Sequence, residues 1–135
     1  ITRADVQAIF YDKALVTEDR ISHSLSLSQR ASHRQTVLDI AHDLGTISGI
    51  RAQWRTELLT AVAKLDIPTL VVWGDHDHIL PFSHLEAALA ALPHAESHVF
   101  PKTGHMPQIE RADEFAAVVE DFLAGRVVRS PAAGV

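Results

Sequence analysis

The run TLVVW, Thr69–Trp73, held between Pro68 and Gly74, constrains this chain more than any other stretch. It is short, continuously apolar and rich in strand-forming residues, as a strand buried on both faces would be. Pro68 stops any upstream helix from running through it. ESHVF, Glu96–Phe100, reads as a second strand, and a helix lies between the two. Ser83 and Glu86 stand at capping-box spacing to open that helix, and its buried side is Leu85, Ala88, Leu89 and Leu92. Strand, helix, strand in this order implies parallel pairing through a right-handed crossover. Parallel sheets need both faces covered and are seldom two strands wide, so the sheet read here is incomplete.

The first 65 residues read as helices. Ala4–Leu15 places Val6, Ile9, Phe10 and Ala14 on one side. Thr17 caps a second helix with Ile21, Leu25 and Leu27 as its apolar members, although its SHSLSLSQ interior alternates like a strand. Ser32 and Gln35 have capping-box spacing ahead of Val37, Leu38, Ile40 and Ala41, and Gly45 ends that helix. Trp54, Leu58, Ala61, Val62 and Leu65 then recur at helical intervals. At the other end Phe115, Val118, Val119, Phe122 and Leu123 form one amphipathic stripe. Trp54 and Trp73 are expected in the core, and Phe10 and Tyr11 read either as core or as the lining of an apolar substrate cavity. The organisation that follows is a helical segment over 1–49, an α/β portion over 50–125 and a frayed tail over 126–135.

Composition narrows the function. A chain of 135 residues is one domain at most, and 47% hydrophobic with 21% charged residues suits a globular protein with a buried core. A net charge of −5 offers no basic face, so no nucleic-acid partner is expected. No apolar run approaches the roughly 20 residues of a bilayer span, and no charged-then-apolar leader opens the chain. The chain has no cysteine, which excludes disulfides and thiolate chemistry and fits a cytoplasmic protein. Ile1 stands in place of an initiator methionine, so upstream sequence is expected to have been removed.

The chemistry concentrates in two loops. The first strand runs into Gly74-Asp75-His76-Asp77-His78, and the second into Pro101-Lys102-Thr103-Gly104-His105. Ligands of open α/β sheets bind beyond the carboxyl ends of the strands, and neighbouring parallel strands bring both loops to one edge. An acid on one loop and a histidine on the next is what a hydrolytic triad needs. The carboxylate fixes the tautomer and stabilises the imidazolium, while the other ring nitrogen takes a proton from a nucleophile. Gly74 and Gly104 allow sharp turns. Asp75, His76, Asp77 and His78 also suggest a metal, but adjacent residues point to opposite sides, and zinc needs three or four convergent ligands. No metal is expected. His23, His33, His42, His84, His94 and His98 are scattered and read as solvated. Glu110 reads as a favourable charge at the start of the last helix.

PTLVVWGDHDHILP followed by HVFPKTGHMPQIERADEF resembles the C-terminal third of an α/β-hydrolase-fold protein. In that family the acid lies three residues after the strand-ending glycine, here Asp77, and the base is the His of the Gly-His loop, here His105. Their separation of 28 residues, acid before base, suits the family's Ser…Asp…His order. The resemblance implies the C-terminal portion of this α/β fold: two parallel strands with crossover helices, preceded by cap-like helices over 1–49. It implies a hydrolase acting on a small apolar ester, or on a carbon–carbon bond next to a carbonyl, with no cofactor. Met106 either lines the substrate pocket or is a core methionine. Members that cleave dienone ring-fission products often carry an aromatic residue there.

The family's nucleophile elbow, G-x-S-x-G, is missing; in GTISG, Gly45–Gly49, the serine comes one place late. The chain is therefore expected to be a C-terminal fragment, inactive without an upstream serine. A two-strand sheet leaves an edge and an apolar face uncovered, so order is expected only on self-association or docking to a missing N-terminal half. The alternative is a non-catalytic interaction module, or a member with an idle triad.

Overall fold

A computed structural model describes residues 2–46, 49–65, 67–126 and 128. Ile1, Ser48 and most of the expected tail over 126–135 lie outside the described residues. Helix α1 spans Arg3–Ile9 and opens on a capping box between Thr2 and Asp5. The single helix expected over Ala4–Leu15 is instead two pieces. Phe10 is extended, and Lys13–Leu15 form a 3₁₀ turn capped by the Asp12 side chain. The N–H groups of Tyr11 and Asp12, which a continuous α-helix would use internally, donate to the distant Glu110 carboxylate.

Helix α2 spans Glu18–Ser28, capped by Thr17, whose hydroxyl accepts from the Arg20 N–H. Its alternating serines stay helical; Ser26 and Ser28 donate their hydroxyls to the carbonyls of His23 and Leu25 within the helix. Val6, Phe10 and Ile21 form a small buried cluster, with Ile9, Leu15, Val16, Leu25 and Met106 packed against it. Of the two aromatics read as core or cavity lining, Phe10 is in the core and Tyr11 is 40% exposed. Helix α3 spans Ala31–Leu44. The Ser32–Gln35 capping box does not form, because Arg30 is the N-cap and its carbonyl takes the N–H groups of His33 and Arg34. Gly45 ends α3 as expected. It also begins a two-residue antiparallel pairing of β1, Gly45–Thr46, with β2, Gly49–Ile50, too short for any sequence pattern to announce. Helix α4, Ala52–Ala63, follows, and Trp54 on it is 38% exposed rather than in the core.

The α/β portion comprises β3 (Leu70–Gly74), α5 (Ser83–Ala91), β4 (Glu96–Phe100), α6 (Pro107–Glu110) and α7 (Ala112–Leu123). Strands β3 and β4 pair in parallel, in register from Leu70↔Glu96 to Gly74↔Phe100, with α5 as the crossover. Both strands are half-buried except at their final residues, Gly74 and Phe100, which are buried. The expected burial on both faces is thus reached only at the carboxyl ends. Trp73 is half-buried. Leu85 and Leu92 are buried beneath α5, and Phe115 of α7 stacks on Phe100 at 6.1 Å. The Ser83–Glu86 capping box is also absent. Phe82 is the N-cap, so Ser83 already lies inside the helix, and the N–H groups of His84 and Leu85 donate to the carbonyls of Pro81 and Phe82. Two parallel strands, a crossover helix and preceding helices make an α/β fold with an incomplete sheet. No helix among the described residues is long and apolar enough to cross a membrane.

Candidate active site

The carboxyl ends of β3 and β4 are sewn together by their own backbone. The Asp75 N–H donates to the Phe100 carbonyl at 3.1 Å, and the His76 N–H to the Thr103 carbonyl at 2.9 Å. Thr103 is fully buried; its N–H donates to the Asp75 carboxylate at 3.2 Å and its hydroxyl to the Pro101 carbonyl at 3.0 Å. Gly74 is needed here for close approach, since a Cβ on it would lie 2.1 Å from the Gly104 carbonyl oxygen. Its φ is not in the left-handed region; on the neighbouring loop Lys102 adopts a positive φ, at 51°.

These bonds bring Asp77 and His105 together. The Asp77 Oδ2 and the His105 Nδ1 lie 2.8 Å apart. The Asp77 side chain is only 6% exposed and that of His105 28%. A carboxylate only accepts, so Nδ1 carries the proton and the lone pair of the neutral ring sits on Nε2. The other Asp77 oxygen, Oδ1, accepts from the N–H groups of Ile79 and Leu80 at 2.8 and 2.9 Å. Burial pushes the Asp77 carboxyl up. The hydrogen bond from His105, those from Leu80 and Ile79, and the charge of His105 outweigh it, leaving the group below its ordinary 3.8. Asp77 is thereby held ionised beside the imidazole.

The remaining residues singled out in the sequence divide. Asp75 turns the other way from Asp77, to His76 at 2.7 Å and Thr103, while Tyr11 meets the His76 ring edge-on at 4.6 Å. His78 is exposed. Among the described residues no three His, Asp or Glu side chains converge as a metal would require. Met106 is half-buried and packs on the Val6–Phe10–Ile21 cluster. His98, expected to be solvated, is half-buried with its ring 4.5 Å from that of Phe100. His33 is half-buried as well.

Glu110 is the residue whose expected role is corrected. It closes the short α6 rather than opening α7. Its Oε2 accepts from the N–H groups of Tyr11 and Asp12 at 2.8 and 3.0 Å, and its Oε1 from the Gly104 N–H at 2.7 Å. The His105 N–H donates to the Ile9 carbonyl at 2.7 Å, a further bond across the same seam. Three N–H donors converging on one carboxylate, two of them nearly a hundred residues away, leave no local signature in sequence.

A family model described as the α/β hydrolase fold matches residues 12–112. The 2-hydroxy-6-oxononadienedioate/2-hydroxy-6-oxononatrienedioate hydrolase of Comamonas testosteroni is 30% identical over 120 residues, 88% of this chain and 40% of that protein. The 2-hydroxy-6-oxo-6-phenylhexa-2,4-dienoate hydrolase of Burkholderia cepacia is 41% identical over 63 residues, 47% of this chain and 22% of that one. Among solved structures, a meta-cleavage product hydrolase from Pseudomonas fluorescens superposes with a TM-score of 0.73 at 24% identity, covering 92% of this chain and 44% of that one. The chain thus spans less than half the length of each of these relatives.

Proposed function

The chain belongs to the α/β hydrolase fold family, and on that premise we propose that it supplies the acid and the general base of a serine-type hydrolase. The observation that carries this is the 2.8 Å contact between Asp77 and His105 at the ends of adjacent parallel strands. A serine hydroxyl attacks the substrate carbonyl carbon as His105 Nε2 takes its proton. The imidazolium, stabilised by ionised Asp77, returns that proton to the leaving group. Water then releases the acyl group by the same route. No cofactor is needed for either half. The relatives named above favour a carbon–carbon bond next to a ketone over an ester as the substrate bond. Met106, next to His105, is the proposed pocket-lining residue.

The 135 residues contain no G-x-S-x-G, so the serine is proposed to come from another stretch of polypeptide. This chain alone is then inactive. The exposed apolar residues of α3 and α4, among them Leu38, Ile40 and Leu58, support docking on that polypeptide or on a second copy. A cytoplasmic location belongs to the same proposal and is supported by the cysteine-free composition.

Intact-mass analysis after treatment with a fluorophosphonate tests the reading. The expected result is an adduct on a second, co-purifying polypeptide and none on this chain. In the assembled enzyme, Asp77→Asn should lower turnover by about 10⁴-fold. An adduct on a serine of this chain, or undiminished turnover in the variant, would overturn it.

A further inference from the structure

We propose that Glu110 is a positioning residue for His105, fastening the loop that carries the imidazole to the turn Ile9–Asp12 of the helical segment. The inference rests on the reading of His105 as the general base and adds to it what holds the base in place.

Asp77 fixes one end of the ring, but a ring is only as well placed as the backbone beneath it. The backbone leading into His105 is bound to Glu110 and to the first helical segment, and not to the sheet alone. Gly104 N–H donates to Glu110 Oε1 at 2.7 Å, and the next N–H, that of His105, donates to the Ile9 carbonyl at 2.7 Å. Glu110 Oε2 grips the far side of the seam through Tyr11 and Asp12. The two segments run so close that a Cβ on Gly104 would lie 2.5 Å from the Ile9 carbonyl oxygen and 2.8 Å from the Tyr11 nitrogen. Glu110 is half-buried, so these charge-assisted bonds are partly shielded from water.

The chemistry of the side chain is specific. Three N–H donors on two sides require an acceptor on both ends of the group, which a carboxylate provides. Glutamine offers one oxygen, and its NH₂ would face a donor on the other side. Alanine offers nothing. The expected order of His105 fixation is therefore Glu, then Gln, then Ala.

The test reads the imidazole directly, in the full 135-residue chain, and needs no turnover. The downfield Nδ1–H proton resonance, assigned by its loss in His105→Gln, is followed by NMR in the native chain, Glu110→Gln and Glu110→Ala. Solvent exchange of that proton should quicken by about tenfold or more in Glu110→Gln and further in Glu110→Ala. The amide resonances of Leu70–Gly74 and Glu96–Phe100 should keep their positions. Equal exchange in all three proteins would overturn the proposal. So would loss of the dispersed strand amides in Glu110→Gln, which would make Glu110 general support. If only Glu110→Ala fails to fold, the comparison of native with Glu110→Gln decides. A native chain without the resonance removes the dyad and this proposal together. A graded loss alongside a failed fluorophosphonate test would uphold the positioning role and reject the hydrolase reading.

Discussion

The α3–α4 arm and the β3–β4 seam carry similar apolar residues to opposite ends. On the arm, Leu38, Ile40 and Leu58 are 53%, 52% and 45% exposed; at the seam Phe100 is fully buried and Leu85 is 3% exposed. The difference lies in where backbone hydrogen bonds are found. A helix pairs its own interior N–H and C=O groups, so α3 and α4 need no neighbour to complete those bonds, although helices this short draw their stability from what covers their apolar sides. A strand cannot pair its own, and β3 and β4 are defined by what crosses between them. The arm's exposed apolar residues are therefore what supports the proposed docking on another polypeptide or a second copy. The seam is already complete enough to set two side chains 2.8 Å apart.

Truncation should separate the two regions most strongly. Phe100→Ala removes a fully buried ring stacked on Phe115 and should cost about 3–5 kcal/mol in chemical denaturation. Leu58→Ala, on the exposed side of α4, should cost no more than about 0.5 kcal/mol. A Leu58→Ala cost that grows with protein concentration would mean the arm is covered by a second copy in solution. Equal costs at all dilutions would break the comparison.

Gly74→Ala probes the seam from its backbone. The added Cβ would meet the carbonyl oxygens of Gly104 and Thr103 at 2.1 and 2.4 Å, neither of which can rotate away as a side chain would. Separating the two loops should cost about 3 kcal/mol and weaken the Asp77–His105 contact. Full retention of the His105 Nδ1–H resonance in this variant would show that the loops can part without disturbing the pair.

The same contrast explains what the sequence made legible. Strand β4 falls on Glu96–Phe100 as read, and β3 is displaced by one residue, because short apolar runs between breakers have few alternatives. That the loops after β3 and β4 meet was legible through one topological rule, that adjacent parallel strands deliver their following loops to the same edge, while the choice of Asp77 and His105 within those loops rested on the resemblance to the α/β hydrolases. The capping boxes at Ser32 and Ser83 failed because the helices begin earlier, at the N-caps Arg30 and Phe82, which leaves both serines inside a helix. The break after Ile9 and the role of Glu110 are one event seen from both ends, since the carboxylate removes the donors that would have continued α1. Periodicity reports on neighbours three and four residues away, and nothing in it marks a partner at the opposite end of the chain.

The smallest expected effect concerns acid. Asp77 titrates below its ordinary 3.8 in the folded chain because hydrogen bonds from His105, Leu80 and Ile79, with the charge of His105, outweigh the upward push of burial. The unfolded chain then binds the proton more readily, so stability rises with pH across the interval in which the two states differ in protonation. The contribution is fully present above the ordinary value and disappears as pH falls through the lower, folded one. Asp77→Asn should therefore narrow its stability gap from the native chain as the medium is acidified below about pH 4. Because Oδ1 holds the N–H groups of Ile79 and Leu80, their exchange, corrected for its intrinsic pH dependence, should quicken over the same interval. Amides of α3, which use only helical acceptors, should show no matching step. A flat profile at Ile79 and Leu80 would mean that the Asp77 carboxylate does not hold the loop.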